Sequence, residues 1–190
     1  MPVLVNVSHR VSDASTDLAV TNNPYMHENV VSDFYAALDA IREGGLQFVG
    51  FSELFRPFEV QVEYWRRYQA NLSAAKKGKS KPYPNIVIAA RPGEYPGRSN
   101  HGAGYSFDMP AIFRNRKLKA GPNKGKTLIN IFEMHGFLHN QPGDAPHFNY
   151  KIKPTEAQKL EAQDYYKNHL SVSVSMNLPD FDRGILFQTC

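Results

Sequence analysis

The chain has 190 residues, of which 42% are hydrophobic and 12% aromatic, and its formal net charge is +4. This composition can fill a hydrophobic core and excludes a disordered chain, and the length favours a single domain spanning 1–190. No apolar run is long enough to cross a membrane, and the first residues lack the pattern of a Sec-type signal peptide. Because the only cysteine is Cys190, the sequence also excludes a disulfide framework and a multi-cysteine zinc site.

Two helices with a strand between them are predicted in the first part of the chain. The segment HENVVSDFYAALDAIREGG predicts a helix, because its apolar residues recur at helical spacing and two glycines end it. These apolar residues are Val30, Phe34, Leu38 and Ile41. LQFVGFSEL, from Leu46, is typical of a strand. Pro57 then opens a second helix, FEVQVEYWRRYQANLSAA, at a position where its missing N–H costs nothing. We expect the apolar face of this helix to consist of Phe58, Val62, Trp65 and Leu72.

The second half of the chain mixes short strands with one clear helix. NIVIAA at 85–90, YSFDMPAIF and HFNYKI are predicted strands, whereas TLINIFEMHGF fits either a strand or a short helix. PTEAQKLEAQDYYKNHL is a predicted helix, with Thr155 and Gln158 placed for a capping box. Strands and helices without a regular βαβ repeat indicate an α+β fold.

The positive charge is concentrated in two runs. KKGKSK begins at Lys76 and ends at Lys81, and RNRKLKAGPNKGK begins at Arg114 and ends at Lys126. Such runs are either solvated loops or surfaces that attract a polyanion, for example an anionic cell wall. Neither run has the interleaved aromatic residues of a base-stacking surface, so no nucleic-acid partner is expected.

The segment SNHGAGYSFD, which starts at position 99, contains a histidine and an aspartate seven positions apart. Without cysteine, a metal site needs histidines and carboxylates, and catalytic zinc sites use three protein ligands and leave a fourth position for water. His101 and Asp108 can supply two ligands if the glycines between them let the segment fold back on itself. His147 is the candidate third ligand, because it opens a predicted strand whose next residue, Phe148, faces the other way.

The residues near these candidate ligands suggest peptide hydrolysis. Zinc lowers the pKa of its water from about 15.7 to near 7, and a neighbouring carboxylate can take the proton and later deliver it to a leaving amine. Asp144, three residues before His147, is the candidate for this base. Arg56, at a strand-to-helix junction, is the candidate group to stabilise the oxyanion. Gln61 lies on the predicted apolar face of its helix and therefore needs a hydrogen-bond partner there.

Three motifs, in this order along the chain, resemble those of one family of zinc peptidases. FSELFRPFEVQ looks like the Gly-Tyr-Arg-Ser…Gln segment of the D-Ala-D-Ala carboxypeptidase and dipeptidase family, which shares its fold with the hedgehog signalling domain. ARPGEYPGRSNHGAGYSFDM is similar to that family's Ser-x-His-x-x-Gly-x-(Ala/Ser)-x-Asp motif. MHGFLHNQPGDAPHFNY resembles its Gly-Phe…Glu/Asp-x-x-His ending, in the Asp-x-Pro-His-Phe form that is usual in the phage endolysin branch.

The resemblance implies a role for each matching residue. Zinc is the implied cofactor, and the implied ligands are His101, Asp108 and His147. Asp144 is the implied catalytic base, and Arg56 is the implied residue that polarises the scissile carbonyl. Ser99 and Gln61 are implied to contact the substrate.

The resemblance also implies a fold and a setting. The implied fold is hedgehog/DD-peptidase-like, with a small antiparallel sheet flanked by helices, a motif-bearing core at about 46–150 and a C-terminal helix and tail at 151–190. The endolysin branch cleaves the L-alanyl-D-glutamate bond of peptidoglycan stem peptides. We therefore expect a phage endolysin that stays in the host cytoplasm until it is released to the cell wall, or a wall hydrolase carried in the virion.

The sequence is also compatible with other functions. The chain could be a D-alanyl-D-alanine carboxypeptidase, as other branches of the family are, or a structural part of a phage particle that keeps zinc for stability. AGPNKGKT also fits a relaxed phosphate-binding loop, but a true one follows a buried strand and opens a helix, and we interpret it as a basic hairpin loop. An iron oxygenase also uses two histidines and a carboxylate, but its first two ligands are usually separated by one residue.

Overall fold

The structure is a computed structural model that describes residues 2–13, 23–47, 49–83, 99–139 and 145–170. The predicted strand at 85–90 and the predicted base Asp144 lie outside these residues. Short strands and helices alternate irregularly, which confirms the predicted α+β class. Among the described residues, no helix combines the length and the hydropathy that a membrane crossing requires.

The described elements are short strands and helices of very unequal length. The strands are β1 Leu4–Asn6, β2 Ser12–Asp13, β3 Tyr25–His27, β4 Gly50–Phe51, β5 Ser106–Asp108, β6 Phe137–Leu138 and β7 His147–Tyr150. The α-helices are α1 Glu28–Glu43, α2 Phe58–Lys76, α3 Ala111–Arg114, α4 Leu128–Met134 and α5 Glu156–Tyr165. A 3₁₀ helix covers Asn100–Ala103, and a π-helical turn, Tyr166–Leu170, continues α5.

Three small sheets hold the described strands together. β5, β7 and β6 form an antiparallel sheet with β7 in the centre, and β1 pairs antiparallel with β3. β2 and β4 form a two-residue parallel pair. In the three-stranded sheet, Asp108 lies opposite His147 and Phe107 lies opposite Phe148. Because side chains alternate along a strand, one face of this sheet carries the two predicted ligands and the other face carries the two phenylalanines.

The apolar face of this sheet packs on a core rich in phenylalanine. Phe107 and Phe148 stack with their ring centroids 4.8 Å apart, and both are fully buried. Helix α1 covers this core with its predicted apolar face, whose four residues are at most 1% exposed. Further rings of the cluster come from Phe34, Phe51, Phe132 and Phe137. This packing gives the site-bearing sheet a rigid base.

The structure changes some of the predicted elements and confirms others. Of the strand predicted from Leu46, the structure forms the two-residue strand β4, and Glu53 adds a single bridge to Asp108. TLINIFEMHGF, undecided from its pattern, is helix α4 followed by strand β6. Thr127 and Asn130 form a reciprocal capping box at the start of α4, which favours the helix. The capping box and helix α5 predicted at Thr155 are confirmed.

Helix α2 begins after Pro57 as predicted, but the face it buries was predicted wrongly. Phe58, Val62, Trp65 and Leu72 are only half-buried, whereas the buried residues of the helix are mostly polar. Those buried residues are Val60, Gln61, Glu63 and Asn71. The polar ones are stabilised by partners: Glu63 binds two arginines of its own helix, and Asn71 forms two hydrogen bonds with the backbone of Tyr83.

The basic segment AGPNKGKT is a hairpin loop, as predicted. Lys117 and Thr127 face each other across an antiparallel bridge, and the backbone of Leu118 bonds to Lys126 and Gly125 inside it. The helix that follows the loop, α4, is one of the two alternatives that the sequence left open. The element directly before the loop is the short helix α3 and not a buried strand, so the strand–loop–helix order of a phosphate-binding loop is not formed there.

Candidate metal centre

The structure brings His101, Asp108 and His147 together at one point. His147 Nδ1 lies 3.0 Å from both Asp108 Oδ1 and His101 Nε2, and His101 Nε2 lies 3.4 Å from Asp108 Oδ1. The three groups could hold a metal ion, since one ligand atom from each converges within 4.8 Å. Two imidazoles and one carboxylate are a donor set that suits zinc and leaves a fourth position for water or substrate.

Two local structures place these three side chains. The register of β5 against β7 sets Asp108 directly across from His147. His101 lies in the 3₁₀ helix, whose first turn is capped by the side chain of Ser99. Gly104 ends this turn with a φ of +71°, and a Cβ there would lie 2.8 Å from the backbone nitrogen of His27. Only glycine therefore allows the segment to turn back so close to β3.

The contact of His101 with Leu54 shows which ring nitrogen can bind a metal. Its Nδ1 lies 2.8 Å from the carbonyl oxygen of Leu54, and a carbonyl can only accept a hydrogen bond. Nδ1 therefore carries a proton, and Nε2, which faces Asp108 and His147, is the nitrogen that can bind a metal. This is the usual arrangement of metal-binding histidines, in which a second hydrogen bond sets the tautomer and the ring orientation.

The side chain of Asp108 is held in the ionised form that can bind a metal. Burial by itself would raise the pKa of Asp108, but the charges and hydrogen bonds of His101 and His147 outweigh burial and hold it well below its usual range. Asp108 is therefore ionised at neutral pH. A carboxylate and two imidazole nitrogens in contact form a site that a divalent cation would neutralise and satisfy.

Arg56 is fixed beside this cluster by a two-point ion pair and an amide. Its Nε and Nη2 donate to the two carboxylate oxygens of Glu53, and its Nη1 donates to Gln61 Oε1 at 2.6 Å. Burial works to lower the pKa of Arg56, but the charge and hydrogen bonds of Glu53 raise it above its ordinary value. Glu53 also pairs with Asp108 through their backbones, and Arg56 N–H donates to the carbonyl of His101 at 3.0 Å. The backbones of Glu53 and Arg56 are thus joined to the strand and the turn that carry two predicted ligands, and the charge of Asp108 acts on the guanidinium.

The other predicted site residues have mixed outcomes. Gln61 is 3% exposed and accepts the expected hydrogen bond, from Arg56, whereas its contact with substrate stays a prediction. Ser99 caps the turn of His101, and its contact with substrate stays a prediction. Asp144 lies outside the described residues, so its role as base also stays a prediction. Glu53 was missed, although a carboxylate three residues before a buried arginine is a recognisable ion-pair spacing.

This chain is similar to solved structures of two other proteins. No family model matches the chain, and neither does any curated protein. One similar structure is a mutant of the vancomycin resistance D,D-pentapeptidase VanY from a VanB-type resistance cassette in complex with Zn(II), with 15% identity, a TM-score of 0.43 and coverage of 85% of this chain and 93% of that one. Another is the LD-carboxypeptidase LdcB, described for peptidoglycan recognition, with 16% identity, a TM-score of 0.49 and coverage of 88% and 78%.

Proposed function

We propose that this protein is a zinc-dependent peptidase that cleaves the stem peptides of peptidoglycan. The observation that carries the proposal is the convergence of His101, Asp108 and His147 within 4.8 Å, with Arg56 fixed beside them. Three sequence motifs, each weak alone, predicted these same residues, which are spread over 91 positions of the chain from Arg56 to His147. The resemblance to the D-Ala-D-Ala carboxypeptidase and dipeptidase family supports the same conclusion.

The residues of the chain would act on a bound peptide in distinct ways. His101, Asp108 and His147 would hold Zn²⁺, which when bound supplies Lewis acidity to the scissile carbonyl and makes a water more acidic. Arg56 would donate to the carbonyl oxygen as negative charge develops on it. Asp144 would accept the proton of the attacking water and return it to the leaving amine. Glu53 and Gln61 would keep the guanidinium of Arg56 in place, and Ser99 would contact the substrate near the site.

The finer assignment follows the endolysin-like form of the last motif. We propose that the bond cut is the one between L-alanine and D-glutamate, and that the protein acts as a phage endolysin or a wall hydrolase carried in the virion. An endolysin of this kind would remain in the host cytoplasm until release. The exposed lysines between Lys76 and Lys81, and the basic run from Arg114 to Lys126, would attract the anionic cell wall.

Mass spectrometry of fragments released from purified peptidoglycan tests the proposal directly. The zinc-loaded protein should release chelator-sensitive fragments whose new N-terminus is D-glutamate. Release of terminal D-alanine alone would assign the protein to the carboxypeptidase branch instead. No release from several wall types, by protein shown to contain stoichiometric zinc, would overturn enzymatic function in favour of a structural role.

A further inference from the structure

We propose that Gln163, on helix α5, is a positioning residue that clamps the Arg56 segment to the turn carrying His101. Its side-chain amide bonds to three backbone groups more than 60 positions away in the chain. Oε1 accepts from Phe58 N–H at 2.7 Å, and Nε2 donates to the carbonyls of Arg56 at 3.0 Å and Gly102 at 2.6 Å. The inference rests on the proposed function, because it assigns Gln163 a part in the same site.

These three bonds use both protons of the Gln163 amide nitrogen and one of the two lone pairs of its oxygen. The two protons of Nε2 go to two different segments, and Oε1 holds the first N–H of helix α2, which has no partner within its own helix. Pro57, the N-cap of α2, provides no side-chain hydrogen bond for this helix start. Gln163 therefore caps α2 from another helix and ties it to the 3₁₀ helix in the same contact.

The absence of a side chain at Gly102, the residue after His101, makes room for this contact. A Cβ on Gly102 would lie 3.2 Å from Gln163 Nε2, closer than most such contacts, so the missing side chain lets the amide reach the backbone. Gly102 directly follows the predicted ligand His101, and Arg56 N–H donates to the carbonyl of His101. The Arg56 segment and the ligand turn are thus joined at two points, once directly and once through Gln163.

The consequence is a fixed distance between the guanidinium of Arg56 and the ligand cluster. Glu53 and Gln61 hold the tip of the Arg56 side chain, but only the backbone contacts set where that side chain starts. Misplacement of a catalytic group by about 1 Å can lower a rate by about 100-fold. Gln163 should therefore influence turnover far more than it influences metal binding, since Leu54, and not Gln163, orients His101.

The test compares Gln163→Met and Gln163→Glu with the wild type and with Asp164→Ala, an exposed residue on the same helix. Methionine keeps the length of the side chain without its hydrogen bonds, and glutamate keeps the acceptor but sets a carboxylate against two carbonyl oxygens. We expect kcat on soluble stem peptides to fall by about 10- to 100-fold in both Gln163 variants, while KM and zinc affinity change by less than about threefold. The amide of Phe58 should exchange faster with deuterium in Gln163→Met, and Asp164→Ala should match the wild type.

Two outcomes would overturn the clamp. One is a Gln163→Met variant whose kcat and whose deuterium exchange at the Phe58 amide both equal those of the wild type. The other is a loss of kcat that is accompanied by a loss of zinc affinity of the same fold, or by unfolding of the variant at the assay temperature. Either result would assign Gln163 a merely structural role. Failure of the proposed function looks different, because the wild type itself would then release no fragment. In that case, faster Phe58 exchange with unchanged zinc affinity would still support the clamp, and unchanged exchange would overturn it.

Discussion

Glu53 and Arg56 form a two-point ion pair in which the side chains are only 7% and 13% exposed. Such a pair contributes little by itself, but removing one partner leaves a buried charge without compensation. Glu53→Ala should therefore lower the free energy of unfolding by about 3–5 kcal/mol and should also impair turnover, because Arg56 loses two of its three side-chain hydrogen bonds. Denaturant unfolding followed by circular dichroism measures the first effect.

Glu63→Ala provides the matched control for that variant. Glu63 also binds arginines, but Arg66 and Arg67 are 51% and 29% exposed and become solvated when the carboxylate is removed. We expect a loss of about 1 kcal/mol or less. Equal losses in the two variants would show that burial of the Glu53–Arg56 pair has no energetic consequence.

Removal of the metal should abolish activity reversibly. Protein treated with a chelator should release no peptidoglycan fragments, and added Zn²⁺ should restore the release. His101→Ala and His147→Ala should each weaken zinc binding by more than about 100-fold, because each removes one of three ligands. Competition with a chromophoric chelator measures the affinity. His9→Ala is the control, since this exposed histidine lies against Tyr35 and is not one of the three predicted ligands, and a similar loss in that variant would contradict the assignment.

Asp144→Asn should separate metal binding from catalysis. The amide keeps the size of the side chain but cannot accept a proton, so we expect hydrolysis to fall by at least about 100-fold with zinc still bound. The measurement is fragment release together with metal content. Loss of zinc or of folded structure in this variant would instead show that Asp144 is structural.

His27 should make the fold less stable in mild acid. Its ring is buried against Tyr105, and burial lowers its pKa below 6.5 even though Glu28 and Glu161 act to raise it. The unfolded chain takes up the proton near pH 6.5, whereas the folded chain does so only at lower pH. The free energy of unfolding therefore falls as the pH decreases below about 6.5.

The contribution of His27 is isolated by comparison with His27→Asn, measured by urea unfolding in the presence of a chelator. Asparagine can still cap α1, where His27 Nδ1 now accepts from Asn29 N–H. The difference in pH dependence between the two proteins reports His27 alone, because all other histidines are shared. Parallel stability curves between pH 7 and 5 would contradict the prediction.

The lysines between Lys76 and Lys81 should provide salt-sensitive attraction to the wall. Among the described residues, none of these four lysines forms an ion pair. Just after the lysines, the backbone of Tyr83 forms two hydrogen bonds with the side chain of Asn71. Replacing all four by glutamine should weaken the binding of the Asp144→Asn variant to isolated walls by about tenfold at low salt. Added salt should reduce the difference. Lys153→Gln, an exposed lysine outside both runs, is the control, and salt-independent binding would contradict the role.

The sequence by itself determined the local features of this protein. Helix α1 and its buried face, the start of α2 at Pro57 and the capping box at Thr155 were all predicted correctly, because the groups that decide them lie within a few residues of each other. The local sequence also restricts two of the predicted ligands, although the pairing of β5 with β7 is what brings Asp108 and His147 together. A glycine-rich turn and the beginning of a strand limit where His101 and His147 can point.

Only the tertiary structure decided what surrounds those ligands. The buried face of α2 was predicted wrongly, because Glu63 and Asn71 are stabilised by partners that no periodicity shows. No sequence pattern marks Gln163, because its three partners come from segments that only the tertiary structure brings next to α5. A hydrogen bond between residues 61 or 107 positions apart depends on how the whole chain closes. The spacing of residue types along a sequence carries no record of that closure.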